Sequence, residues 1–161
     1  MIRIIENINI DPILDEYQKI EKNIIWTEFG HQSKQAGLQS RLGRNPWTDA
    51  VGRSKGADMI FDQINPFFIG TLFEHLILKY KMKRTRLMWM GDFACYSMHA
   101  DLTARLHFPL ITNKQSYMIF KKGLIEHLPV GSVYWVDTRQ EHTAINGSNE
   151  QRIHLVGCVP D

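Results

Sequence analysis

The chain has 161 residues, of which 43% are hydrophobic and 22% charged, and its net charge is +2. Those values fit one folded domain, 1–161, with a real core, and exclude a disordered tail or a strongly basic nucleic-acid binder. No apolar run approaches a membrane span, no signal peptide precedes the first charged residues, and the two cysteines make no disulfide framework, so a cytoplasmic setting away from membrane and nucleic acid is expected.

Residues 2–10 alternate loosely and read as a strand. Asp11-Pro12 is a helix start, and Ile13, Tyr17, Ile20 and Ile24 supply the stripe behind it. Residues 23–29 should leave that helix as an extended segment through Trp26. Residues 31–55 sustain no helical period. Their polar side chains (His31, Gln32, Gln35, Gln39), glycines and the turn Arg44-Asn45-Pro46-Trp47 predict short strands and loops over one open mouth of the fold. Gln39, Trp47 and Arg53 are candidates for substrate contact, set against ordinary surface-loop chemistry.

Asn65-Pro66 repeats the helix-start signal, and Ile69, Leu72, Phe73, Leu76, Ile77 and Tyr80 follow at helical spacing. A helix over 65–81 is predicted, with an apolar face broad enough to need the outer face of a sheet. The basic run Lys79, Lys81, Lys83, Arg84, Arg86 reads as the solvated end of that helix, favoured by its dipole.

From Arg84 the period changes. Residues 87–90, 94–98, 105–112, 116–120, 132–136, 142–146 and 152–159 read as short strands punctuated by turn residues. The expected fold class is mainly β, a jelly roll buttressed by N-terminal α-helices, with 1–86 as support and 87–159 as the barrel. Strand 105–111 supports this. Leu106, Phe108 and Leu110 make a wholly apolar face, while Arg105 and His107 turn the other way and need a polar cavity, because unpaired buried charge is costly.

His99 and Asp101 stand two residues apart, so on an extended strand they share a face. An imidazole beside a carboxylate is two thirds of a 2-His-1-carboxylate facial triad, which holds Fe(II) with positions open. His142 is the natural third ligand. An H-x-D pair alone also arises as a plain surface hydrogen bond. The weight lies in the order: H-x-D, then Arg105-Leu106-His107, then His142, then Arg152 opening an apolar strand.

These motifs resemble the iron(II)/2-oxoglutarate-dependent oxygenases of the aspartyl/asparaginyl β-hydroxylase type, especially small bacterial and phage members, the free-amino-acid hydroxylases among them. The resemblance spans residues 88–159: H-A-D at His99–Asp101, R-L-H-F-P-L-I-T-N at Arg105–Asn113, G-S-V-Y-W-V-D-T-R-Q-E-H at Gly131–His142, and R-I-H-L-V at Arg152–Val156. It implies a cupin-like double-stranded β-helix with Fe(II) bound by His99, Asp101 and His142. It also implies that Arg152 pairs with the far carboxylate of 2-oxoglutarate, with Arg105 and His107 near its other end or orienting the ligands. The implied reaction consumes O2, hydroxylates an amino acid, free or in a peptide or protein, and yields succinate and CO2. Two other readings stay open: a cupin-type metalloenzyme without 2-oxoglutarate, and a non-catalytic jelly-roll binding domain. The direction of Arg152 separates the first of these from the hydroxylase.

Overall fold

The computed structural model describes residues 1–30, 32–53 and 57–160. The expectations for His31 and for 54–55 lie outside the described residues. In chain order the elements are β1 (Ile2–Asn7), α1 (Asp11–Ile20), β2 (Thr27–Glu28), β3 (Ser33–Gly37), β4 (Gln39–Ser40), β5 (Gln63–Ile64) and α2 (Leu72–Lys79). Then follow β6 (Lys83–Met90), β7 (Ala94–Cys95), β8 (Arg105–Ile111), β9 (Ser116–Phe120), β10 (Ile125–Glu126), β11 (Ser132–Val136), β12 (His142–Asn146) and β13 (Arg152–Cys158).

Two antiparallel sheets form a jelly roll. The larger has the order β1-β11-β8-β13-β6-β3-β2, and the smaller β10-β9-β12-β7. The N-terminal part is thus more than a support, because it gives three strands to the larger sheet, among them β3 against β6. A short β4–β5 ladder stands apart.

Side-chain alternation divides the larger sheet into two faces. Leu106, Phe108 and Leu110 of β8 and Ile153 and Leu155 of β13 join Ile13 and Tyr17 of α1 and Phe73, Leu76 and Ile77 of α2 in one core. The predicted helix-on-sheet packing is therefore present, with the Tyr80 and Phe108 rings 5.2 Å apart. A second core lies toward the smaller sheet and contains Met90, Met118, Phe120, Tyr134, Val136 and Ala144.

The helix predicted over 65–81 is shorter. Asn65-Pro66 opens a single 3-10 turn, Pro66–Phe68, with the Asn65 side chain accepting from the Phe67 N–H. Gly70 then takes φ +81, a left-handed conformation that suits glycine and interrupts the helix. Helix α2 restarts with Thr71 as its N-cap, the hydroxyl accepting from the Glu74 N–H.

The basic run is also different. Arg84 and Arg86 are buried strand residues of β6, not a solvated helix end. Arg84 has φ 50, and the β6–β13 register shifts between the pairs Val156–Arg86 and Cys158–Lys83. This irregularity feeds the start of the strand into the sheet and carries both guanidinium groups inside.

Candidate active site

A cavity of about 740 Å3 opens between the two sheets. Its lining includes Arg86 and Met88 of β6, Arg105 and His107 of β8, Arg152 and Val156 of β13, Met118 of β9, and His142 and Ala144 of β12. The loop from β7 to β8 closes one side with Tyr96 and the run Ser97–Leu102.

His99 and Asp101 do not lie in a regular strand. The loop carrying them is pinned by backbone bonds instead. His99 N–H donates to the His142 carbonyl and His142 N–H to the His99 carbonyl, at 2.9 and 2.8 Å, and Asp101 N–H donates to the Thr138 carbonyl at 2.8 Å. One ligand atom from each of His99, Asp101 and His142 lies within 4.8 Å of the others. His99 Nε2 is 3.8 Å from Asp101 Oδ1, and His142 Nε2 is 3.7 Å from Asp101 Oδ2. Those separations are too long for hydrogen bonds. They are close to the spacing of two ligand atoms that share one ion, with bonds of about 2.0–2.2 Å.

The surrounding bonds prepare this arrangement. His99 Nδ1 donates to the Ser97 carbonyl at 2.7 Å, and His142 Nδ1 to the Gln140 carbonyl at 2.9 Å. Both imidazoles therefore present an unprotonated Nε2 to Asp101 when neutral. Burial holds the pKa of His142 below its ordinary value, against the opposing pull of the Gln140 carbonyl and Asp101. Arg105 Nη2 grips Asp101 Oδ1 at 2.6 Å, and Asp101 Oδ2 has no hydrogen-bond partner among the described residues. A divalent cation fits this donor set.

Arg152 is only 3% exposed, and its guanidinium contacts no carboxylate among the described residues. Nη2 donates to His154 Nδ1 at 3.0 Å, and Nη1 lies 3.3 Å from Met90 Sδ. Because His154 Nδ1 accepts from Arg152, the 3.4 Å contact between the Nδ1 atoms of His107 and His154 requires His107 to donate. Burial, then the Arg152 charge, drive both imidazoles well below their usual pKa, so they are neutral inside the fold. Burial also brings Arg152 down to about 10.

Of the loop candidates, Arg53 lines the cavity mouth and donates to Ser97 Oγ at 3.4 Å. Gln39 and Trp47 do not line it, which corrects the expectation for these two. The Gln39 amide bonds internally to the Met82 carbonyl and to Thr85, and Trp47 packs against Phe67 and Phe68 at 5.1 and 5.7 Å. Both are held by the protein's own groups.

The sequence reading missed Arg84, Arg86, Asp58 and Gln35, all of which line the cavity. A signal for the arginines was present. Arg84-Thr85-Arg86 puts two polar side chains on one strand face, as Arg105-Leu106-His107 does on β8.

A model of the aspartyl/asparaginyl β-hydroxylase family matches residues 8–159. The chain belongs to that family. With it the chain joins the 2-oxoglutarate-dependent hydroxylases. No curated protein matches the sequence. Three solved structures share the hydroxylase's fold. A 2OG-Fe(II) oxygenase family oxidoreductase from Burkholderia pseudomallei has 13% identity and TM-score 0.56, covering 90% of this chain and 76% of that one. The viral collagen prolyl hydroxylase of Paramecium bursaria Chlorella virus-1 has 13% identity and TM-score 0.52, covering 99% and 96%. A Pseudomonas putida prolyl-4-hydroxylase has 8% identity and TM-score 0.51, covering 98% and 90%. No described helix of this hydroxylase is long and apolar enough to cross a membrane.

Proposed function

We propose that the enzyme hydroxylates an unactivated C–H bond of an amino acid, free or within a peptide, using Fe(II), O2 and 2-oxoglutarate, with succinate and CO2 as co-products. One observation carries this reading: His99, Asp101 and His142 converge on the wall of a cavity that also contains a buried arginine, Arg152, with no carboxylate partner among the described residues. Iron(II) held by that triad would supply oxygen-activating redox chemistry, with 2-oxoglutarate as the electron source.

The chain's own residues then have distinct parts. His99 and His142 offer Nε2 because their Nδ1 protons are committed to backbone carbonyls. Arg105 fixes the orientation of the Asp101 carboxylate. Arg152 offers a forked cation to the far carboxylate of 2-oxoglutarate, and His154 steadies that fork. His107, neutral and attached to His154, serves as an uncharged polar wall. Met88, Met118, Ala144 and Val156 limit water in the same space. The direction of Arg152 favours this reading over a cupin-type enzyme that does not use 2-oxoglutarate.

The test is succinate formation by metal-stripped protein reloaded with Fe(II), with a panel of free amino acids and peptides. Succinate should appear only with both Fe(II) and 2-oxoglutarate. Asp101→Ala should abolish it and weaken Fe(II) binding beyond the about 10–100-fold typical of losing an outer partner. An unchanged rate in Asp101→Ala would contradict the assignment of this carboxylate as a ligand.

A further inference from the structure

The cavity contains more buried positive charge than the proposed metal and co-substrate account for. Four buried arginines line it, Arg84, Arg86, Arg105 and Arg152, against two carboxylates, Asp58 and Asp101. Arg84 pairs with Asp58 at 2.8 Å and Arg105 with Asp101 at 2.6 Å. Fe(II) and doubly charged 2-oxoglutarate cancel one another. Two guanidinium groups are then left over, and 2-oxoglutarate has one distal carboxylate to offer them.

Arg86 is the second of the two. It is 2% exposed, and its Nη1 donates to the Ala50 and Gly52 carbonyls and to Gln35 Oε1, at 3.3, 3.1 and 3.3 Å. Its Nε and Nη2 have no hydrogen-bond partner among the described residues. Those two nitrogens form the side-on edge of the guanidinium, whose parallel N–H groups match the two oxygens of a carboxylate. The occupied nitrogen fixes the group, and the vacant edge is the one suited to forked recognition. Burial and the nearby Arg105 and Arg84 charges pull Arg86 down to about 9, which an anion would relieve.

Arg86 and Arg152 are also separate along the sheet. Arg152 stands opposite Met90 in the β6–β13 ladder and Arg86 opposite Val156. Four residues of strand divide these positions, about 13 Å.

Resting on the function proposed above, we propose that Arg86 is a specificity-determining residue that anchors a carboxylate of the substrate itself. That carboxylate is the α-carboxylate of a free amino acid or the side-chain carboxylate of an acidic residue. Both present the same two-oxygen face to the Nε/Nη2 edge.

The test uses the full chain saturated with Zn(II) and 2-oxoglutarate, and reads the thermal midpoint as probes are titrated. L-asparagine carries only an α-carboxylate, N-acetyl-L-aspartate amide only a side-chain carboxylate, and L-asparagine amide neither. At least one carboxylate probe should raise the wild-type midpoint, while L-asparagine amide leaves it unmoved. Which probe acts distinguishes a free amino acid from an acidic residue in a peptide. Arg86→Met should weaken the active probe by about 30-fold or more, and Arg86→Lys by less, since it keeps charge without the fork. The inference is overturned if no carboxylate probe shifts the wild type, if the amide binds equally, or if Arg86→Met binds the active probe unchanged. It is also overturned if Arg86→Met weakens 2-oxoglutarate more than it weakens the probe, for then Arg86 holds the co-substrate. A parallel anaerobic Fe(II) titration with 2-oxoglutarate separates the two levels. Without a chelate absorbance the proposed function fails and takes this inference with it; with one, probe failure counts against Arg86 alone.

Discussion

His107 and His154 are buried and neutral, and this gives the metal-free protein a definite response to acid. Both have folded pKa values well below the ordinary imidazole value of about 6.5. Below pH about 6.5 the unfolded chain binds protons at these sites and the folded chain does not, so stability falls as pH falls. Together they contribute up to about 2.7 kcal/mol per pH unit until their folded pKa values are reached. Urea unfolding from pH 7.5 to 5 measures this, and a flat profile would show that the pair titrates alike in the folded and unfolded chain, as exposed imidazoles do. Asp58 offers a second check. It is buried, paired with Arg84 and bonded to the Thr103 hydroxyl at 2.8 Å. Asp58→Ala leaves Arg84 buried and unpaired, and should cost about 3–5 kcal/mol in urea unfolding. At this scale the order and type of residues in the sequence pointed to His99, Asp101, His142 and Arg152, and the structure brings all four to one cavity. Gln39 and Trp47 were misread because residue type does not say whether a loop side chain bonds inward. Arg86 was misread because a guanidinium beside a helix end usually is solvated, and only the β6 register turns it inside.

Helix α2 packs on the larger sheet through Phe73, whose exposure is 0%. Its ring meets Phe68 at a centroid distance of 5.7 Å, within the core that holds Leu106, Phe108 and Leu110. Phe73→Ala should therefore cost about 3–5 kcal/mol. The urea midpoint measures it, and a midpoint equal to wild type would mean that the ring is not part of the core. Strands β8 and β9 were legible because alternate residues differ in character, and β11, β12 and β13 as short runs bounded by turn residues, although β8 and β13 prove to be buried on both faces. The boundaries of α2 were not. The stripe from Ile69 to Tyr80 is continuous in sequence, and nothing in its spacing shows that Gly70 uses φ +81 to break it. His99 and Asp101 were expected to share one face of an extended strand. Their convergence depends instead on backbone bonds to His142 and Thr138, which come from far along the chain.

Across the whole molecule, the two sheets enclose a cavity in which the His99, Asp101 and His142 cluster and the buried guanidinium groups occupy different parts of the wall. The triad at Asp101 is suited to a metal, and the buried guanidinium groups are suited to carboxylates. The helices on the outer face hold the sheet that positions them. The sequence showed that such a polar interior exists, through Arg105 and His107 facing away from an apolar face. It did not show the surplus of charge, which appears only when β6 is placed beside β13. The central claim, that the barrel binds 2-oxoglutarate with its far carboxylate on Arg152, is tested most directly by titrating the anaerobic Fe(II) protein with 2-oxoglutarate and following the chelate's charge-transfer absorbance. Arg152→Ala should retain iron and raise the dissociation constant by about 30-fold or more, with Arg152→Lys between it and wild type. Titration of Arg152→Ala indistinguishable from wild type would contradict the claim.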